Sequence, residues 1–182
     1  MKKITSFVGS LLLILFFGVS VSAEESLDKV YIDSEETFTI EPGKEYILDN
    51  GIIITPLDKD VADKLVGKNK SSQEYGTFGA GEWDLLGTST FKTTSKVFNS
   101  GGGDLVIYFD HPAWHRIVPY RYALREKDGP IYTTLANFKL EGGYVPLQFN
   151  VRGYTDGDNR KAELYLYKFN YITKAVWTQW YD

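Results

Sequence analysis

The sequence predicts an all-β fold, an antiparallel β-sandwich of jelly-roll-like type with one short α-helix near residues 57–66. Three observations carry this expectation. Aromatic residues make up 15% of the chain, and with its many glycines and threonines they favour strands and tight turns over helices. Several runs alternate apolar and polar residues with period two, as in sheets with one buried face. Turn signals separate those runs at short intervals: NSGGG at 99–103, EKDG at 126–129, EGG at 141–143 and DGDN at 156–159.

In chain order, residues 1–23 read as a secretory signal peptide. Lys2 and Lys3 precede an apolar run, and Val21-Ser22-Ala23 supplies small residues before an acidic start. The run from Leu11 to Phe17 is too short to span a bilayer. Cleavage after Ala23 leaves 159 of the 182 residues, one domain by length and enough to bury a core. Residues 24–35 read as a loosely held N-terminal arm, and 36–182 as a single β-sandwich domain. PLDKDVADKLV, residues 56–66, breaks the strand pattern. Asp58 or Asp60 is the expected N-cap, Val61 and Leu65 lie four apart on one face, and Gly67 ends the helix.

The strand runs follow. DLVIYFD, 104–110, is apolar on both faces and reads as a central strand. In RIVPYRYALRE, Val118, Tyr120, Tyr122 and Leu124 share one face, and Arg121 and Arg125 share the other. VPLQFNVR places Val145, Leu147, Phe149 and Val151 opposite Pro146, Gln148, Asn150 and Arg152, with Pro146 marking an edge or a bulge because it cannot donate to a ladder. KAELYLYKFN sets Ala162, Leu164 and Leu166 against Glu163, Tyr165 and Tyr167.

Composition narrows the function classes. With no cysteine there are no disulfides, no thiolate ligands and no acceptor for a lipoprotein anchor. The style is that of a protein secreted by a Gram-positive bacterium. Loss of Lys2 and Lys3 with the signal takes the formal charge from −4 to −6, which disfavours nucleic acid and anionic membrane surfaces. No glycine-rich phosphate cradle follows a strand, so nucleotide binding is not expected, and no G-x-S-x-G elbow supplies a serine nucleophile.

Both histidines lie in DHPAWH, residues 110–115. Asp110, His111 and His115 are candidate zinc ligands, although Pro112 denies them the helical spacing of an HExxH motif. The plainer reading is a turn between two strands, and a third makes the loop a presenter of Trp114, stacked on a sugar or gripping a protein. In TDGDNRK, Asp156, Asp158 and Asn159 offer hard oxygens for calcium, against the simpler reading of an Asp-Gly hairpin turn. Glu82 and Asp84, flanking Trp83, are spaced for a carboxylate pair on one strand face, the basis of a hydrolase alternative. TSTFKTTSKVFNSGGG raises a toxin-like, membrane-acting alternative, but only Phe91 is strongly apolar across 88–96.

The polar faces of the strands collect Arg121, Arg125, Gln148, Arg152, Tyr165 and Tyr167, with Trp177 on the last run. Aromatic rings beside bidentate donors suit sugars, whose ring faces stack while their hydroxyls take hydrogen bonds. The expectation is therefore a secreted, non-enzymatic binding module for a carbohydrate, cell-wall polymer or protein, resembling in general architecture secreted jelly-roll and sandwich modules.

Overall fold

Residues 27–67, 83–112, 118–155 and 159–182 are described by a computed structural model of the chain. In order these residues form β1 (Asp28–Ile32), β2 (Thr37–Thr39), β3 (Lys44–Leu48), β4 (Ile53–Pro56), α1 (Lys59–Leu65), β5 (Leu85–Phe91), β6 (Phe98–Ser100), β7 (Asp104–Asp110), β8 (Tyr120–Asp128), β9 (Ile131–Leu140), β10 (Tyr144–Asn150), a 3-10 turn (Arg152–Tyr154), β11 (Ala162–Lys168) and β12 (Val176–Tyr181). The fold is mostly β and sandwich-like, as the periodicity predicts. One sheet has seven strands in the order β1-β3-β4-β10-β7-β12-β5, and the other has five in the order β2-β9-β8-β11-β6.

The sheets are mixed rather than purely antiparallel. β1 pairs with β3 in parallel, and β2 pairs with β9 in parallel. Parallel neighbours need a crossover instead of a hairpin, and β2, lying in the facing sheet, supplies that crossover between β1 and β3. The stretch read as a loose arm therefore contains a paired edge strand. Its ends are tied by Asp28 N–H to Gly43 O (3.1 Å) and Asp49 N–H to Ile32 O (3.2 Å), while Val30 and Ile32 pack on the core.

Alternation positions the core. Tyr120, Tyr122 and Leu124 of β8 and Ala162, Leu164 and Leu166 of β11 point inward, where they meet Leu105, Ile107 and Phe109 of β7 and Leu147 and Phe149 of β10. Ring contacts cross between the sheets, from Phe98 to Trp180 at 4.6 Å, Phe109 to Tyr122 at 5.3 Å and Phe138 to Phe149 at 5.8 Å. β7 is central, as its doubly apolar sequence predicts, and is buried on both faces.

β10 is also central, and this corrects the edge placement expected from Pro146. The Pro146 carbonyl accepts from Leu57 N–H (3.0 Å), just past the end of β4 at Pro56. In an extended strand a residue's nitrogen and carbonyl point the same way, so the missing donor falls beyond the last β4–β10 pair, where no ladder bond is lost.

Helix α1 lies on the outer face of the seven-stranded sheet. Its seven residues would be marginal alone, and the packing of Ala62 and Val66 against Val106, Tyr108 and Tyr181 holds it there. The face differs from the one expected, because Val61 and Leu65 are exposed. Ala62 and Val66 are also four apart, and the small alanine lets the helix approach the sheet closely. That approach also buries Asp63, which pairs with Lys59 one turn earlier.

Candidate functional site

The solvent face of the five-stranded sheet gathers four of the side chains singled out by sequence. Arg121 and Arg125 project from β8, and Tyr165 and Tyr167 from β11, with Arg125 directly opposite Tyr165 in the ladder. Tyr165 is buried and forms part of the floor. Above it the Arg125 guanidinium carbon sits 4.3 Å from the Tyr132 ring centroid and 4.4 Å from that of Tyr167. Phe169 completes the arrangement, 5.7 Å from Arg125 and 5.5 Å from Arg121, with its own ring 5.0 Å edge-on from Tyr167. Tyr132 is 54% exposed and Phe169 39% exposed, so the rings offer contact surface. Stacking on the rings fixes the guanidinium plane at low entropic cost and leaves its terminal Nη N–H groups to a ligand. Arg125 Nε is buried and has no hydrogen-bond partner among the described residues.

Sequence reasoning missed Tyr132, and the reason is a bulge. Ala136, Phe138 and Leu140 of β9 face the core, and strict alternation back from them would put Thr134 and Tyr132 inside as well. Between Leu124 and Arg125 of β8 the partner on β9 shifts from Ala136 to Thr134, leaving Leu135 extra. That one residue turns Thr134 and Tyr132 to the outside. Phe169 continues the outward row of Tyr165 and Tyr167 and was legible from that alternation.

The other expected contact residues are elsewhere. Gln148 lies on the outer face of the seven-stranded sheet, between Thr55 and Val106, and Trp177 lies half-buried on the same face against the α1 cluster. Arg152 sits in the 3-10 turn with its side chain toward Asp104 at 3.9 Å. These three do not join the Arg125 face, because the two outer faces of a sandwich point in opposite directions. Trp114, His115, Asp156, Asp158 and Glu82 lie outside the described residues. Asp84 exchanges backbone hydrogen bonds with Asp182, and Asn159 is engaged locally by Glu163 and the Lys161 N–H.

His111 belongs to the core rather than to a metal centre. It is 3% exposed, and its ring lies 4.4 Å from Tyr120 and 5.9 Å from Phe109. Nδ1 is 2.9 Å from Gly143 O, and Nε2 is 2.9 Å from the Tyr122 hydroxyl. A carbonyl only accepts, so Nδ1 carries the proton and donates, and Nε2 accepts from Tyr122. Both nitrogens are occupied, which leaves no lone pair for zinc. Burial lowers the His111 pKa to about 4, with the Gly143 hydrogen bond opposing and the Lys168 cation assisting. Asp110 is exposed at the end of β7. Among the described residues no three histidine or acidic side chains come together to hold a metal.

Two further polar groups were not legible in the sequence. Lys168 is fully buried in the inward row of β11, where its ammonium donates to the carbonyls of Tyr171 and Lys174, each at 2.7 Å. Burial brings its pKa down to about 8. Beneath α1, Asp63 neighbours Tyr108, Tyr144 and Tyr181 of the seven-stranded sheet. Burial first and the Asp63 charge second raise all three hydroxyls, with Tyr144 pushed up to about 12. This cluster clamps the helix to the sheet by keeping neutral tyrosines around a carboxylate.

Comparison with known proteins places the same strands in a family. Residues 85–180 match the family model described as YndA coiled coil domain. A relative from Bacillus subtilis (strain 168), named as uncharacterized protein YndA, is 30% identical over 105 residues, covering 58% of this chain and 79% of the relative. No solved structure matches the chain. The matched span runs from the start of β5 to the penultimate residue of β12, and α1, the only α-helix among the described residues, precedes it. A coiled coil needs long helices with heptad seams, so the family's descriptive label does not describe the architecture of this member.

Proposed function

This chain belongs to the family described as YndA coiled coil domain, and we propose that it is a secreted, non-enzymatic module that binds a carbohydrate or cell-wall polymer. The binding surface is the outer face of the five-stranded sheet. One observation carries this reading: the Arg125 guanidinium is held between the Tyr132 and Tyr167 rings on an exposed, rigid sheet. Structural cation–aromatic pairs are common, but here Tyr132 and Phe169 are themselves exposed and extend the pair into a surface patch. Such a patch, with donors set among flat rings, fits sugar rings and their hydroxyls. Every residue of the patch falls within the family-matched span.

Secretion rests on the N-terminal reading. Expressed with its own N-terminus in a Gram-positive host, the protein is expected in the culture medium with Glu24 as its first residue. N-terminal sequencing that finds an intact Met1 on cell-retained protein would contradict this.

Binding is tested by depletion of the purified protein with Gram-positive cell walls and a panel of insoluble polysaccharides. Saturable depletion is expected, with Tyr167→Ala weakening it about tenfold, the scale of one lost stacking contact plus its hold on Arg125. Depletion that Tyr132→Ala and Tyr167→Ala leave unchanged would reject this face as the site.

A further inference from the structure

We infer that the Arg125 face takes an anionic glycopolymer, a sugar chain carrying repeated oxyanion groups, in preference to a neutral one. The inference rests on the binding reading above and narrows it to a ligand class. Its first support is an unneutralised row of cations. Arg121 stands directly opposite Lys139 in the β8–β9 ladder, and Arg125 lies one outward pair beyond Ala123 on the same face. Like charges directly opposite one another destabilise a sheet. Among the described residues none of these three cations makes an ion pair, although the chain carries 24 acidic residues against 20 basic ones. Glu163, the carboxylate in the same outward row of β11, accepts instead from Asn159.

The second support is geometric. Four residues along a strand separate α-carbons by about 13 Å. Both guanidinium carbons nevertheless approach Phe169, at 5.5 and 5.7 Å from its centroid, and so lie no more than about 11 Å apart. Two planar forks are thus drawn together over a ring, each able to chelate a phosphate or carboxylate in its plane while the neighbouring aromatic faces take the sugar. A neutral glycan would use the rings and leave this charge uncompensated. A bare polyanion would use the charge and leave the rings idle. The arrangement fits a ligand that brings both.

The test measures retention of the full chain on four probes: polygalacturonate, a neutral glucan, inorganic polyphosphate and phosphatidylglycerol vesicles. Polygalacturonate is expected to bind about tenfold or more tighter than the glucan, the scale of one charge-assisted contact, and to weaken as salt rises to about 0.5 M. Arg121→Gln and Arg125→Gln should remove that preference with an unchanged melting temperature for Arg121→Gln. Arg125→Lys, which keeps the charge but not the fork, should recover little of it. Equal binding of glucan and polygalacturonate, lost in Tyr167→Ala but not in Arg125→Gln, would overturn the inference and leave the binding reading standing. Polyphosphate or vesicles retained as well as polygalacturonate, with no dependence on Tyr132 or Tyr167, would also overturn it by showing a plain cationic patch. Retention on none of the four, and on no cell wall, would sink both.

Discussion

Lowering the pH from 6.5 to 4 is expected to remove about 3 kcal/mol of folding stability through His111, the product of its shift to about 4 and ~1.4 kcal/mol per pH unit. The sign follows from the direction of the shift. The folded-state pKa lies below the unfolded value, so the buried neutral ring contributes stability that is fully present above pH 6.5. Below that the unfolded chain binds a proton the folded chain refuses, and the contribution is lost as the pH falls through the folded pKa. Urea unfolding of the wild type and His111→Gln across this window isolates the effect from the carboxylates, which titrate in both. At pH 7 the variant should be weaker, since it disturbs the hydrogen bonds to Tyr122 and Gly143 O. The gap should close toward pH 4. A gap that stays constant would mean that His111 is not a neutral core histidine, and would return it to consideration as a ligand.

The second large effect separates two tryptophans three residues apart. Trp180 is fully buried, stacked 4.6 Å from Phe98 and donating from Nε1 to Thr178 Oγ1 at 3.0 Å. Trp180→Ala should cost about 3–5 kcal/mol, the range for emptying an aromatic site in a close-packed interior. Trp177 points out of the same strand on the opposite face and packs only part of its surface against the α1 cluster. Trp177→Ala should cost about 1 kcal/mol. Equal losses in chemical denaturation would contradict the register of β12 between β5 and β7.

That register shows how far the sequence could be read. Period two placed Leu164 and Leu166 inside and Arg121, Arg125 and Tyr167 outside, which is where they lie, because alternation is a local property of an extended chain. The gathering of Arg121, Arg125 and Tyr167 on one face also depends on β8 pairing with β11, a long-range fact that no local pattern contains. Gln148 and Trp177 fell on the opposite outer face for the same reason. Tyr132 was hidden by a bulge that reverses parity within one strand. Lys168 broke the rule that charges stay out of cores, which is possible only because the turn after β11 folds back to offer two carbonyls. For α1 the helix and its stop at Gly67 were legible, but its buried face was not, since Val61/Leu65 and Ala62/Val66 have the same spacing and only the shape of the sheet chooses between them.

The central claim is that one outer face of this sandwich, and not the other, meets a polymeric ligand. Hydroxyl-radical footprinting of the protein with and without purified Gram-positive cell-wall polymer tests this most directly, because it reads individual aromatic side chains. Tyr132, Tyr167 and Phe169 should be protected, while Tyr31, 75% exposed on an edge strand of the seven-stranded sheet, should label equally in both samples. Protection that falls instead on Trp177 and Tyr144, or that spares all three residues of the Arg125 face while the polymer is bound, would contradict the account.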